Sequence, residues 1–533
     1  MQENSGSEWV FAIKDPGHEG LPRSAATTAE WDSYVSRVQA AGGIAPTSSE
    51  THTEGNPSEE VSSGGSGQFG VVHESIEGYL AREWVPAEYQ KRGVTWLASR
   101  LAGALFLPPG MGKTSISLGA QEMVHKMGYR SRMLVLAPLT VCLTTWLSEP
   151  QKWRQFQGLK VGLAHGEDKA LILNDDYYDI VVLNYDGIGW AAPLLAAGHN
   201  FDILLCDEIR RLKNTNSKRF KILKPLLPSF TFRWGLTGTP AANGLMDLFG
   251  QCYVLDSGQR LGRFITHFRM KYFHQKPWDQ YKYYISDEKA DELVGQIRDM
   301  AMYMDPKEWL SLPPLLDITI PVELDKETKL KYKELEEDFI LAINDGAVVA
   351  SNAGVLSSKL RQFTGGAINM GDGTWSNVHS AKLEALDTLV DELAGEPLLV
   401  AYQFEHEFER LIKQHPIALY IKGGMSKNLM QSTVEKWNTG NEPLLLVQPQ
   451  AGSLGLNLQF GGSAICWFSQ TYNLEDFIQQ IARLLRRGQE KPVRNYMLIV
   501  KGTIDEVIAE VMIQKDATQN KVFENLKRLG AKV

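Results

Sequence analysis

Residues 104–124 read ALFLPPGMGKTSISLGAQEMV. An apolar run meets two prolines, then Gly110, Met111, Gly112, Lys113 and Thr114, and the pattern turns helical at once. This order decides the fold. A strand that ends in Gly-x-Gly-Lys-Thr and opens into a helix forms an anion cradle, because glycines let backbone N–H groups turn inward and the helix N-terminus adds its dipole. In such a loop Lys113 reaches the β and γ phosphates of a nucleotide and the Thr114 hydroxyl ligates Mg²⁺, while Gly110, Met111, Gly112 and Ser115 complete the cradle. Leu107 stands where the common GxxxxGK[ST] pattern has its first glycine, and the loop alone leaves a chance Gly-rich turn as the alternative.

The other half of such a site is FDILLCDE at 201–208, an apolar run ending in two carboxylates. Asp207 is placed to hold Mg²⁺ through water, and Glu208 to orient and deprotonate an attacking water. Around these two stretches, apolar runs alternate with helix-length segments. ALFL, MLVLAP, DIVVLNY, FDILLCDE and FRWGLTGTP form one series, and PLLVAYQ, IALYI, PLLLVQ, AICWFS and RNYMLIV form a second beginning near residue 397. Continuous apolar strands separated by helices predict parallel sheets covered on both faces, hence two α/β lobes. Residues 259–395 read mostly as helix, notably from Asp325.

The 533 residues are too many for one core, and 43% apolar content excludes a wholly disordered chain. No apolar segment is long enough to span a bilayer, and the start lacks the order of a signal peptide. Cys142, Cys206, Cys252 and Cys466 are scattered without a CxxC pair, which argues for buried thiols in a reducing cytoplasm and against a zinc module. Residues 48–68 have linker composition, with Val61 as the one apolar side chain, and a short helix capped by Thr28 and ended by Gly42 precedes them.

The net charge of −8 gives no sign of nucleic acid, but its distribution does. Between Ile209 and Met246 stand Arg210, Arg211, Lys213, Lys218, Arg219, Lys221, Lys224 and Arg233, with no acid. Between Ser257 and Ser286, bases alternate with aromatic rings against the single acid Asp279. Such stretches suit a surface that follows a phosphate backbone, or equally a solvated face on an acidic protein.

With these elements in order, the chain from about residue 85 to 515 resembles the superfamily 2 helicases, most closely the Swi/Snf-type translocases. VPAEYQKRGVTWL (85–97) is similar to the adenine-sensing element, with Gln90 as the base contact. LVLAPLTVCLTTW (134–146) resembles motif Ia, DEIRRLKN (207–214) motif II, and LTGTPAANGLMDLF (236–249) motif III. KLEALDTLVDEL before PLLVAYQFEHEFERL resembles the entry to motif IV, AGSLGLNL (451–458) motif V, and QQIARLLRRGQ (479–489) motif VI. KGTIDEVI (501–508) closes the region in the manner of the family.

The resemblance implies two RecA-like lobes with parallel sheets, helical insertions between them and a flexible N-terminal segment. The expected division is an N-terminal segment at 1–70, an ATP-binding lobe at 71–258, an insertion and connector at 259–379, and a second lobe at 380–533. ATP is expected between the lobes, with Gly455 and Asn457 of motif V near it. Arg483 and Arg486, three apart and on one face if helical, are expected to cross the cleft as arginine fingers. Arg210, Thr237, Thr239 and Gln479 are expected to couple nucleotide state to lobe position. Thr140, Asn184, Tyr185, Lys213, Lys422 and Gly424 are the expected nucleic-acid contacts. Arg210 replaces the usual histidine after motif II, Leu485 replaces another in motif VI, and Pro449 and Gln450 replace a Thr-Arg pair before motif V.

The implied activity is ATP hydrolysis driving movement along double-stranded or forked DNA in a compact, cytoplasmic, bacterial or phage-like motor without membrane attachment. RNA stays open as a substrate. A helicase that unwinds or branch-migrates forked DNA in replication or recombination is the second reading, although no wedge hairpin is legible, and an ATP-switched nucleic-acid-binding module is the third. The insert from Gly258 to Tyr284 is either the seat of substrate specificity or a helical brace on the first lobe.

Overall fold

The computed structural model describes residues 81–277, 279–344, 350–370, 374–450 and 456–530. The N-terminal helix, the linker and Gly455 lie outside them. The first lobe is a seven-stranded parallel sheet built from β1 (Ala102–Phe106), β2 (Met133–Ala137), β3 (Val161–Leu163), β4 (Ile180–Asn184), β5 (Ile203–Asp207), β6 (Phe232–Thr237) and β9 (Ala301–Met302). Its order is β3-β4-β2-β5-β6-β1-β9. Between β6 and β9 lies an antiparallel hairpin, β7 (His274–Lys276) with β8 (Asp279–Tyr284).

The second lobe is a six-stranded parallel sheet of β10 (Leu315–Val322), β13 (Leu398–Ala401), β14 (Leu419–Ile421), β15 (Leu444–Val447), β16 (Ala464–Trp467) and β17 (Val493–Val500), ordered β10-β17-β16-β13-β15-β14. A small antiparallel pair, β11 (Ala367–Asn369) with β12 (Trp375–Asn377), stands beside it.

Successive side chains of a strand point to opposite faces, so an uninterrupted apolar run can feed two cores. In the first lobe Ala104, Phe106, Leu134, Leu136, Leu204 and Cys206 enter one core. Leu105, Leu107, Val135, Ala137, Leu205 and Leu236 enter the other. The second lobe repeats this with Leu398, Val400 and Cys466 on one face and Leu399, Ala401 and Trp467 on the other. All four cysteines are buried and unpaired.

Two parts of the sequence reading change. The stretch expected to be mostly helical supplies one strand to each sheet, β9 and β10. β9 has only two residues and β10 is a largely exposed edge strand, so neither has the continuous apolar run that marks the central strands. The last element, α5 (Ile504–Gly530), also ignores the expected lobe boundary. It begins in the second lobe with Ile504, Ile508 and Met512 buried. It ends with Val522, Phe523 and Leu526 in the first-lobe core, where Phe523 stacks on Tyr303 with centroids 4.2 Å apart.

Candidate active site between the lobes

Because the first sheet is parallel, β1, β5 and β6 end at one edge, the usual place for a ligand in an open α/β sheet. α2 (Lys113–Lys126) starts there, directly after Gly112. Gly112 has φ +71°, and a Cβ on it would stand 2.5 Å from Gln90 Nε2. The positive φ favours glycine, and a side chain here would also push the Gln90 amide out of its place against the loop. Gln90 lies on α1 (Glu88–Ala98), and its Oε1 accepts from the Ala87 N–H at 3.0 Å, which leaves the Nε2 end against the loop.

Lys113 Nζ donates to the Leu107 carbonyl at 2.9 Å and to that of Pro108 at 3.5 Å. Leu107 itself is fully buried, so its backbone oxygen serves the loop while its side chain serves the core. Thr114 is half-buried on the first turn, Met111 is buried, and buried Ser115 donates to the Gly112 carbonyl at 2.9 Å.

Asp207 ends β5 and Glu208 follows it, both close enough to the loop to act on the Lys113 charge. Asp207 Oδ2 accepts from Trp146 Nε1 at 2.9 Å, and its backbone carbonyl accepts from Tyr185 OH at 2.8 Å. Burial, then the neighbouring Glu208 charge, raise the Asp207 carboxyl to about 6. Glu208 is held at φ 52° and ψ 53°, a left-handed conformation unusual for a non-glycine residue and common at functional sites. Its Oε2 accepts from Thr237 Oγ1 at 3.1 Å, which in turn accepts from the Thr239 N–H at 3.1 Å. Gly238 of the same segment leaves room for the phosphate loop, since a Cβ there would lie 3.0 Å from Pro109 Cδ.

The second lobe brings its arginines to this edge. α4 (Leu474–Leu484) has Asn473 as its N-cap, with acids in the first turn and Arg483 in the last, an order that suits the helix dipole. Arg483 is buried, and its guanidinium falls to about 9 through desolvation, then repulsion from Arg486, partly offset by Glu208. Arg486 is also lowered by burial, with Glu149 of the first lobe as the offsetting acid. A Cβ on Gly110 would lie 3.6 Å from Arg486 Cβ, so the second lobe touches the cradle directly.

The helical-face argument for the two arginines needs correcting. α4 ends at Leu484, and Arg486 lies in the turn beyond it. The two converge because the chain bends at Leu485, and Arg486 Nη1 is fixed by the Leu456 carbonyl at 3.3 Å. The preceding motif is stapled alongside, with the Leu458 N–H donating to the Arg483 carbonyl at 3.3 Å and Gln480 Nε2 to that of Pro449 at 3.2 Å. Asn457 is exposed, and its carbonyl accepts from Asn438 Nδ2 at 2.8 Å.

The cleft thus gathers Lys113, Arg483 and Arg486 against Asp207 and Glu208. Burial lowers the Lys113 ammonium, which Glu208 and Asp207 support and Arg486 opposes. Buried Arg483 Nε has no hydrogen-bond partner among the described residues. Converging cations with a buried donor to spare fit a polyphosphate. Among the described residues no cluster of three or more His, Cys, Asp or Glu forms a ready metal cage. The donors fit Mg²⁺, which is commonly bound through one or two protein oxygens together with phosphate oxygens.

The expected coupling residues meet across the lobes. Arg210, on the turn after Glu208, forms an ion pair with Glu475 of α4. Gln479 Nε2 donates to the other oxygen of Glu475 at 3.1 Å. The expected nucleic-acid contacts fare unevenly. Thr140 and Asn184 are half-buried after β2 and at the end of β4, while Lys422 and Gly424 follow β14. Tyr185 is a correction, since it is 3% exposed with its hydroxyl committed to Asp207, so it has no surface to offer. Lys213 and Lys422 already pair with Asp247 and Glu405, each at 2.9 Å.

Of the eight bases between Ile209 and Met246, Arg211, Lys218, Lys221 and Lys224 are the exposed ones, so that stretch is only partly a basic surface. The aromatic insert divides in two. Phe268 and Tyr272 of α3 (Ile265–Tyr272) pack into the first-lobe core as a brace. The hairpin that follows packs its rings under cations, with Arg269 of α3 over the Tyr283 ring and its own Lys276 over Tyr284. A hairpin was not legible in the sequence because its strands carry no apolar alternation.

Sequence reasoning missed Trp146, Glu149 and Glu475. Only Glu475 left a signal, since an arginine in place of histidine at 210 calls for an acid opposite it.

The chain is similar to families and proteins already described. The family model described as SNF2-related domain matches residues 89–364, and that of the helicase conserved C-terminal domain matches 381–488. A putative protein p41 of Acyrthosiphon pisum secondary endosymbiont phage 1 is 32% identical over 464 residues, covering 84% of this chain and 100% of that protein. An uncharacterized ATP-dependent helicase of Mycoplasma genitalium is 25% identical over 82% of this chain, which spans 42% of that longer protein. The Sulfolobus solfataricus SWI2/SNF2 ATPase core, solved with dsDNA, is 21% identical over 84% of this chain and 94% of that one, with a TM-score of 0.41.

Proposed function

We propose, for a chain that belongs to the SNF2-related family of helicase-like ATPases, ATP-driven translocation along duplex DNA. The observation that carries this reading is the meeting of Lys113, Asp207 and Glu208 of one lobe with Arg483 and Arg486 of the other. In this reading Lys113 and the cradle hold the β and γ phosphates, and Gln90 meets the adenine. Glu208 orients the attacking water and takes its proton, while Thr237 holds the carboxylate in place. Arg483 and Arg486 stabilise charge that develops on the transferred phosphoryl group. Mg²⁺, held through Thr114 and Asp207, would neutralise phosphate charge.

ATP bridges the lobes and favours the closed arrangement, and hydrolysis removes that bridge. If each lobe grips the phosphate backbone of one strand, alternate closure and opening shifts them along the track. Thr140 and Asn184 at the first sheet edge, and Lys422 and Gly424 in the second lobe, are the proposed grips. Phosphate contacts carry no base information, so movement is independent of sequence and sensitive to salt. The buried free thiols fit a reducing cytoplasm.

The β7–β8 hairpin favours a second reading, strand separation at a fork. The test is ATP turnover with no nucleic acid, with duplex, forked and single-stranded DNA and with RNA, alongside strand displacement. Duplex stimulation without displacement supports translocation, displacement supports the second reading, and no stimulation by any nucleic acid refutes both. Glu208→Gln should abolish turnover in every case, and normal turnover would remove it as the base.

A further inference from the structure

We infer that Arg210 and Glu475 form a closed-state latch that sets the position of Arg483, so that both ends of one helix are referenced to a single turn of the first lobe. This rests on the proposed hydrolytic reading and adds a positioning pair to it. Arg210 and Glu208 belong to one short turn that follows β5. Glu475 is in the first turn of α4 and Arg483 in its last. At about 1.5 Å per residue the helix sets these two positions roughly 12 Å apart. Arg210 grips the N-terminal end of this strut, and the C-terminal end faces Glu208, two residues from Arg210.

The pair is built rather than incidental. Both side chains are largely buried, with 12% and 15% of their surface exposed. Gln479, one turn on, holds the free oxygen of Glu475, and Asn473 caps its N–H at 3.2 Å. Around Arg210 stand the acids Glu208, Asp247 and Asp476 and the bases Arg211 and Lys515. Glu208 and Asp247 share a lobe with Arg210 and stay beside it in the open arrangement, whereas Glu475 and Asp476 reach it only on closure. A histidine at this position would carry a weaker and pH-dependent charge, whereas arginine remains cationic. The contact can form only when the lobes meet, because its partners belong to different lobes.

The latch is tested by a double-mutant cycle with Arg210→Gln, Glu475→Gln and both together. Closure is read by energy transfer between dyes at Leu171→Cys and Ile417→Cys, which are 72% and 74% exposed, while the four native cysteines are buried. The probe is a non-hydrolysable ATP analogue with duplex DNA. Each single variant should reduce the closed population and lower the maximal ATPase rate about tenfold, with the double variant no worse than either single.

The KM for ATP should change less than the rate, because the phosphate loop is untouched. Singles that close like wild type, or effects that add in the double variant, overturn the latch. A loss of melting temperature with unchanged closure also overturns it, since that is the mark of a merely structural pair. Failure of the hydrolytic reading shows separately, as a wild-type protein that closes on the analogue yet turns over no ATP.

Discussion

Replacing Asp207 with Asn should stabilise the nucleotide-free protein while abolishing hydrolysis. Burial and the adjacent Glu208 raise the carboxyl from 3.8 to about 6, so ionised Asp207 costs the folded state free energy at neutral pH. That rise is worth about 3 kcal/mol when the group is fully ionised in both states. The sign follows from proton binding. The folded state binds more protons than the unfolded state between pH 3.8 and about 6, so the cost disappears as pH falls through that window.

Asparagine has nearly the same shape and can still accept from Trp146 Nε1, so the substitution removes the charge and little else. The gain is therefore about 3 kcal/mol at about pH 7.5 and about 1 kcal/mol at about pH 4.5. Urea denaturation of wild type and Asp207→Asn at those two pH values, without Mg²⁺ or nucleotide, measures it. A variant less stable than wild type at neutral pH, or a gain that does not shrink in acid, refutes the reasoning.

A second charge pair lies deep in the other lobe, where Lys382 and Asp505 are 2.7 Å apart and nearly fully buried. Lys382→Met strands the Asp505 carboxylate and should cost about 3–5 kcal/mol in denaturant unfolding. Adding Asp505→Asn to that variant should recover part of the loss. Phe523→Ala removes the ring stacked on Tyr303 and should cost about 3–5 kcal/mol as a core truncation. Protease cleavage near the end of α5 should rise with it, and unchanged cleavage would mean that the helix end is held elsewhere. Half-stimulation of ATP turnover should require more duplex DNA as salt is raised, and a salt-independent requirement would speak against phosphate grips.

The central strands and the phosphate loop were legible because each residue answers to one local demand. Gly112 needs a positive φ, and the apolar runs of β2, β5 and β13 need two buried faces. The edge strands β9 and β10 were not, since a short or exposed strand lacks that signature. Within the site, Lys113, Asp207, Glu208 and Arg483 could be named from motif order. Trp146 and Glu149, which face Asp207 and Arg486, come from distant segments, and only the fold brings them in. Tyr185 shows the converse: a strand-end aromatic read as a surface contact is a core residue, because its hydroxyl found a backbone carbonyl inside. Arg486 reached the cleft by a chain bend that helical periodicity does not describe.

Arg483→Ala tests most directly whether two lobes make one catalytic centre. The measurement is ATP turnover with saturating duplex DNA, beside equilibrium ATP binding by the same variant. Turnover should fall about 10³-fold or more, the range of an arginine finger, while affinity changes less than about tenfold. A rate within a few-fold of wild type, or affinity lost in step with rate, would contradict the account.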